Sequence, residues 1–121
     1  MPFTATHVAA AVPIAWLCRW RVPFSALAIG TIVPDLGVFF PWLIDYQALH
    51  TAAGVLTHCT PVGLAIYYVF HIVLKRPMVD LLPDATRNRM LYHLNRKIDL
   101  RLRQIALVTS LIAVGAATHV F

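Results

Sequence analysis

From Thr51 to Leu74 the chain carries no Asp, Glu, Lys or Arg, and that run decides the class of fold. An uncharged apolar stretch of this length spans the roughly 30 Å hydrocarbon core of a bilayer as an α-helix. In lipid every backbone polar group needs an internal partner, which a helix supplies along its own length. Three more apolar stretches flank it: 3–18, which is short for a span, 24–44, and 104–121. The chain is 60% hydrophobic and only 12% charged, where soluble domains run near 25% charged. The expected fold is therefore an all-α polytopic transmembrane helical bundle, a single domain over 1–121 with three to four membrane segments.

The basic residues orient it. Eight of the ten Lys and Arg residues lie between Lys75 and Arg103, and the positive-inside rule assigns that 75–103 loop to the cytoplasm. The 51–74 segment then runs inward and 24–44 outward, which brings Arg19 and Arg21 inside as well, so the two basic clusters agree. Met90, Leu94, Ile98 and Leu102 recur every four residues with basic groups on the other side. That pattern predicts a basic amphipathic helix on anionic lipid headgroups, or a solvated linker helix. The net charge of +5 does not point to nucleic acid, because the basic groups flank apolar spans instead of lining an aromatic-rich surface. Cys18 and Cys59 lie in apolar runs and define neither a zinc knuckle nor a disulfide framework. The N-terminus has no basic region ahead of its apolar part and does not read as a cleaved signal peptide. The last run stops on Thr118-His119-Val120-Phe121 with no polar flank, as expected of a C-terminally truncated chain.

Within 24–44 stands one carboxylate, Asp35, directly after Pro34. A charge at that depth costs roughly 2.5 kcal/mol or more on insertion scales, so an intramembrane Asp marks a functional site by default. Pro34 lacks a donor and disfavours helix at Val33, which predicts a kink or break, with Asp35 near the positive end of a second half-helix. Gly30 and Gly37 flank it and admit close approach of another helix. A plainer alternative is that Asp35 only caps a broken helix.

The topology gathers possible ligands in the outer half of the bundle. Asp35 lies past the middle of its span, His119 near the outer end of the last one, His50 on the outer connection, and His7 outside if 3–18 spans. His58 lies about two turns into the third segment. His71 and His93 fall on the cytoplasmic side and drop out. Histidines with one carboxylate suit zinc or another divalent ion, although no compact HExxH-type signature is present.

The order of short motifs resembles a bacterial membrane-protein family known as domain of unknown function 4184. The resemblance rests on Met1-Pro2-Phe3-Thr4 with His7, Ser25-Ala26-Leu27, Ile29-Gly30 and Pro34-Asp35. It continues through His50-Thr51, Gly54, Pro61-Val62-Gly63-Leu64, Phe70-His71, Arg76-Pro77, Leu81-Leu82-Pro83 and Gly115-Ala116 with Thr118-His119. The late His of that family is followed by an Asp and a Thr-His pair, so this chain is expected to cover about the first half of the pattern. More distantly, the family looks like membrane-bound metal-dependent hydrolases whose scattered His and Asp resemble zinc-dependent phospholipase C. The resemblance implies His7, Asp35, His50 and His119 as metal ligands, Asp35 and His119 at the reacting centre, and residence in the bacterial inner membrane. His58 has no clear counterpart.

Two functions follow as expectations. The first is metal-dependent hydrolysis of a phosphoester or other ester, in a lipid-like substrate, with water activated by the ion. The alternative is a non-enzymatic membrane protein, a transport component or an assembly partner, that uses Asp35 as an intramembrane polar site.

Overall fold

The computed structural model describes residues 4–121 and is helical, with no strand among the described residues. Met1, Pro2 and Phe3, which open the first apolar stretch and the family-like motif, lie outside the described residues. Helix α1, Thr4–Leu17, closes in a paired reverse turn of the Schellman type. The Arg19 N–H donates to the Trp16 carbonyl and the Trp20 N–H to the Ala15 carbonyl, both at 2.8 Å. Arg19 and Trp20 stand at φ 52° and 55°, a left-handed conformation that costs a residue with a side chain about 1 kcal/mol.

In helix α2, Phe24–Phe39, the irregularity expected at Pro34 as a kink or break is a single tightened turn and not a full break. Val33, Asp35 and Leu36 keep right-handed helical dihedrals, and Val33–Asp35 tighten into one 3-10 turn. That turn pairs each N–H with the carbonyl three residues back, as Leu36 does with Val33. The missing proline donor is absorbed by tightening, with no new helix start. Asp35 makes no capping hydrogen bond there, so the plain capping role does not hold. The helical part of 24–44 ends at Phe39: Phe40, at φ −128° and ψ 58°, precedes Pro41, whose ring disfavours the α conformation in the residue before it.

Asp45 caps the short helix α3, Tyr46–Leu49, by accepting from the Gln47 N–H at 2.9 Å. Thr51 caps α4, Ala52–Asp80, by accepting from the Gly54 N–H at 2.9 Å. This helix runs past Leu74 and through Pro61 and Pro77, because a wide π turn lies just ahead of each proline, at Val55–Cys59 and Phe70–Leu74. A wide turn moves backbone carbonyls away from the proline ring that would otherwise strike them. Helix α5, Asp84–Leu94, and helix α6, Leu102–Val120, are separated by non-helical chain. The predicted amphipathic helix through Met90, Leu94, Ile98 and Leu102 is therefore not continuous. Ile98 lies in the gap, where the Asp99 carboxylate accepts the Arg101 N–H at 2.9 Å, a local bond that competes with helix.

Helix α2 is central and touches α1, α4 and α6. Its seam with α6 is built on glycine: a methyl group at Gly30 would strike the Ile112 carbonyl, and one at Gly115 would strike the Leu27 carbonyl. Along this seam Gly30 meets Ile112 and Thr31 meets His119, so the two helices run parallel. Ser25 meets His71 while Val33 lies against Gly63, so α4 runs antiparallel to α2. Small residues, among them Ala11, Ala15, Ala26 and Ala116, are buried, whereas Trp16 (68% exposed), Leu17 (73%), Trp42 (78%) and Leu43 (75%) point outward. Small residues between helices and large apolar ones outside are the pattern of helix packing in lipid. Helices α4 and α6 are long and apolar enough to cross a membrane, while α1 and α2 are shorter apolar helices.

Candidate metal centre

Three of the six histidines, His7, His50 and His119, gather with Asp35 at the end of the bundle away from the basic stretch. Asp35 comes from the tight turn of α2, His119 from the last turn of α6, His7 from the first turns of α1, and His50 from the end of α3. One ligand atom each from His7, Asp35 and His119 lies within 4.8 Å of the others. His119 Nε2 stands 3.2 Å from Asp35 Oδ1, with both side chains less than a tenth exposed. The His7 and His119 ring centroids are 4.0 Å apart.

The orientation of His119 follows from Pro34. In the 3-10 turn the Asp35 N–H turns to the carbonyl three residues back, which leaves the Thr31 carbonyl outside the helical ladder. His119 Nδ1 takes it up at 2.7 Å. A carbonyl only accepts, so Nδ1 carries the proton and Nε2 of the neutral ring presents its lone pair. That lone pair faces a carboxylate oxygen. Two acceptors at this distance repel unless a proton or a cation stands between them.

His50 is beside this group but not of it. Its ring centroid is 5.4 Å from that of His119, edge-on, and its Nδ1 donates to the Tyr46 carbonyl at 2.9 Å. The tyrosine ring lies 4.0 Å away and holds the imidazole in place. The remaining histidines are elsewhere. His58 is exposed and bonded to the Thr57 hydroxyl at 2.7 Å, His71 meets Ser25 at the opposite end, and the His93 carbonyl accepts from Lys75. Of the four sequence-predicted ligands, the fold thus draws His7, Asp35 and His119 together and leaves His50 one step away.

Sequence reasoning missed Thr31, whose contribution is a backbone carbonyl and leaves no mark on residue type. It also missed the Ser25–His71 pair, since His71 was set aside on its side of the membrane alone.

Neither the curated proteins nor the solved structures yield a match to this chain. The description "Domain of unknown function (DUF4184)" matches residues 1–121, and the chain belongs to that family.

Proposed function

We propose that this protein is an integral membrane helical bundle carrying a divalent metal site, zinc or a similar ion, and that it hydrolyses an ester or phosphoester. One observation carries the reading: the ligand atoms of His7, Asp35 and His119 converge within 4.8 Å of one another. The donor set fits the ion. Ligands 2.0–2.2 Å from a tetrahedral zinc stand about 3.3 Å apart, and the His119–Asp35 contact is 3.2 Å. Two imidazoles and a carboxylate would hold the ion with three protein ligands, the donor composition of catalytic zinc sites. A divalent ion there supplies Lewis-acid activation of water and of the ester oxygen.

The chain's own groups do the rest. The Thr31 carbonyl keeps the His119 proton on Nδ1 and its lone pair turned inward. The Tyr46 carbonyl does the same for His50, leaving His50 Nε2 as a proton acceptor beside the cluster. All ten basic residues lie at the other end, in the α1–α2 turn and from Lys75 to Arg103, which supports a cytoplasmic basic end apposed to anionic headgroups and a site on the outer side of a bacterial inner membrane. Helix α4, at 29 residues, is about 43 Å long and crosses with length to spare.

A second reading rests on the same contact. A proton shared between His119 and Asp35 in an apolar bundle is what a proton-coupled transport component uses, and no hydrolysis is then needed. Metal content per chain of detergent-purified protein separates the two. The hydrolase reading expects about one divalent ion, lost in Asp35→Ala; no ion in the wild type removes it. Proton flux in liposomes that disappears in Asp35→Asn without metal dependence establishes the second.

A further inference from the structure

A different pair meets at the basic end of the bundle. Ser25 lies in the first turn of α2, and His71 lies in the second wide turn of α4, with Ser25 Oγ 2.9 Å from His71 Nε2. Most Ser and Thr hydroxyls in these apolar helices donate to their own backbone: Thr31 to Ala28, Thr57 to Ala53, Thr109 to Ile105, Ser110 to Ala106. Thr57 also touches His58, but its proton is already committed to Ala53. Ser25 has no helical carbonyl four residues back, because α2 begins at Phe24. The Tyr67 ring lies 4.4 Å from the His71 ring. With no helical carbonyl four residues back to take it, the Ser25 proton is available to His71 Nε2 in the tautomer that carries its own proton on Nδ1. The neighbouring Tyr68 hydroxyl is buried with no partner among the described residues, whereas buried hydroxyls are ordinarily bonded.

We propose that Ser25 and His71 form a second reactive centre, a serine nucleophile with its base, that takes the acyl group of a carboxylic ester. Ser25 Oγ bonds to the ester carbonyl carbon as its proton passes to His71 Nε2. The carbon–oxygen bond to the alcohol breaks, and the alcohol leaves with that proton. Water then attacks the acyl-serine, giving its proton to Nε2, and the carboxylic acid departs as Oγ recovers a proton from Nε2. No other reactant is required. Pro23 provides no side-chain cap to α2, so the N–H groups of Phe24 and Ser25, which a helix start leaves without internal partners, are the donors assigned to the developing oxyanion. Ser25 and His71 are both half-buried and reachable. The ester is a fatty-acyl one: Ser25 follows Arg19, Trp20 and Arg21 by about a turn, the depth of the headgroup boundary where lipid ester groups lie. That choice of substrate rests on the membrane reading; the dyad does not, and it is independent of the metal.

The test is covalent labelling of the detergent-purified full chain with a fluorophosphonate, with the site mapped by mass spectrometry, in chelator and in zinc. The expected result is one adduct on Ser25, at the same rate in both buffers, absent in Ser25→Ala and at least tenfold slower in His71→Asn. Thermal unfolding of both variants checks that they are folded. No adduct on wild-type Ser25, a rate unchanged in folded His71→Asn, or labelling that requires metal each overturns the proposal and leaves an interhelical hydrogen bond. Labelling that competes with acyl-glycerol esters and not with short-chain esters identifies the fatty-acyl class; the reverse removes the lipid assignment and keeps the dyad.

Discussion

Helices α2 and α4 both carry prolines in their interiors and answer them in opposite ways. In α2 the turn at Pro34 tightens to 3-10; in α4 the turns ahead of Pro61 and Pro77 widen to π. The consequences differ because of where the displaced backbone groups find partners. In α4 the Val55 carbonyl receives both the N–H and the hydroxyl of Thr60, the latter at 2.7 Å, so the irregularity is settled within one helix. In α2 the Thr31 carbonyl is taken by an imidazole from α6, and a local defect becomes the element that aims a candidate ligand. An interior proline makes a site only where the carbonyl it releases is answered from another helix.

The largest expected effect comes from separating those two helices. Gly30→Val puts side-chain carbon into the Ile112 carbonyl and is expected to cost 3 kcal/mol or more, near the upper end for overpacked sites, read as a large fall in thermal midpoint in detergent. His119 then loses both Thr31 and Asp35, and the metal should go with it. Pro34→Ala makes the sharper cut. Restoring a regular α ladder returns the Thr31 carbonyl to the Asp35 N–H, and metal affinity should fall about 10- to 100-fold, the usual cost of losing an outer-shell partner. Thermal stability should hold or rise, since an interior proline is removed; competition titration against a chelating dye reads the affinity. An unchanged affinity would break the link between the proline and the site.

Thr60→Val probes the other half of the comparison. It should cost about 1 kcal/mol, one hydrogen bond, and leave metal affinity where it was. The smallest change concerns the α1–α2 turn. Arg19→Gly relieves a left-handed backbone at the usual entropy cost of glycine, and should raise stability by about 0.5 kcal/mol with no effect on metal or labelling.

Much of this was legible along the chain. The helical class follows from long, uncharged apolar runs, and residue count together with the sidedness of Arg19, Arg21 and the 75–103 stretch grouped His7, Asp35, His50 and His119 as candidates, of which the fold brings His7, Asp35 and His119 into one cluster. Less legible were the ends and irregularities of helices. Pro41 ends α2 through the residue before it, yet Pro61 and Pro77 are carried inside α4, because a wide turn depends on which carbonyls the neighbouring side chains can satisfy. His50 shows the same limit: its spacing permits a ligand, but its bond to Tyr46 holds it to one side.

By itself, then, the sequence determined that this is a helical chain with apolar faces, a basic end, and one carboxylate placed where charge is costly. Those properties depend on what each residue is and on distance along a helix, and both can be read in one dimension. Only the tertiary structure decided which histidines meet that carboxylate and that Ser25 meets His71. Each meeting joins residues far apart in the chain, and each depends on how closely two backbones approach, which is set at Gly30 and Gly115 by the absence of a side chain.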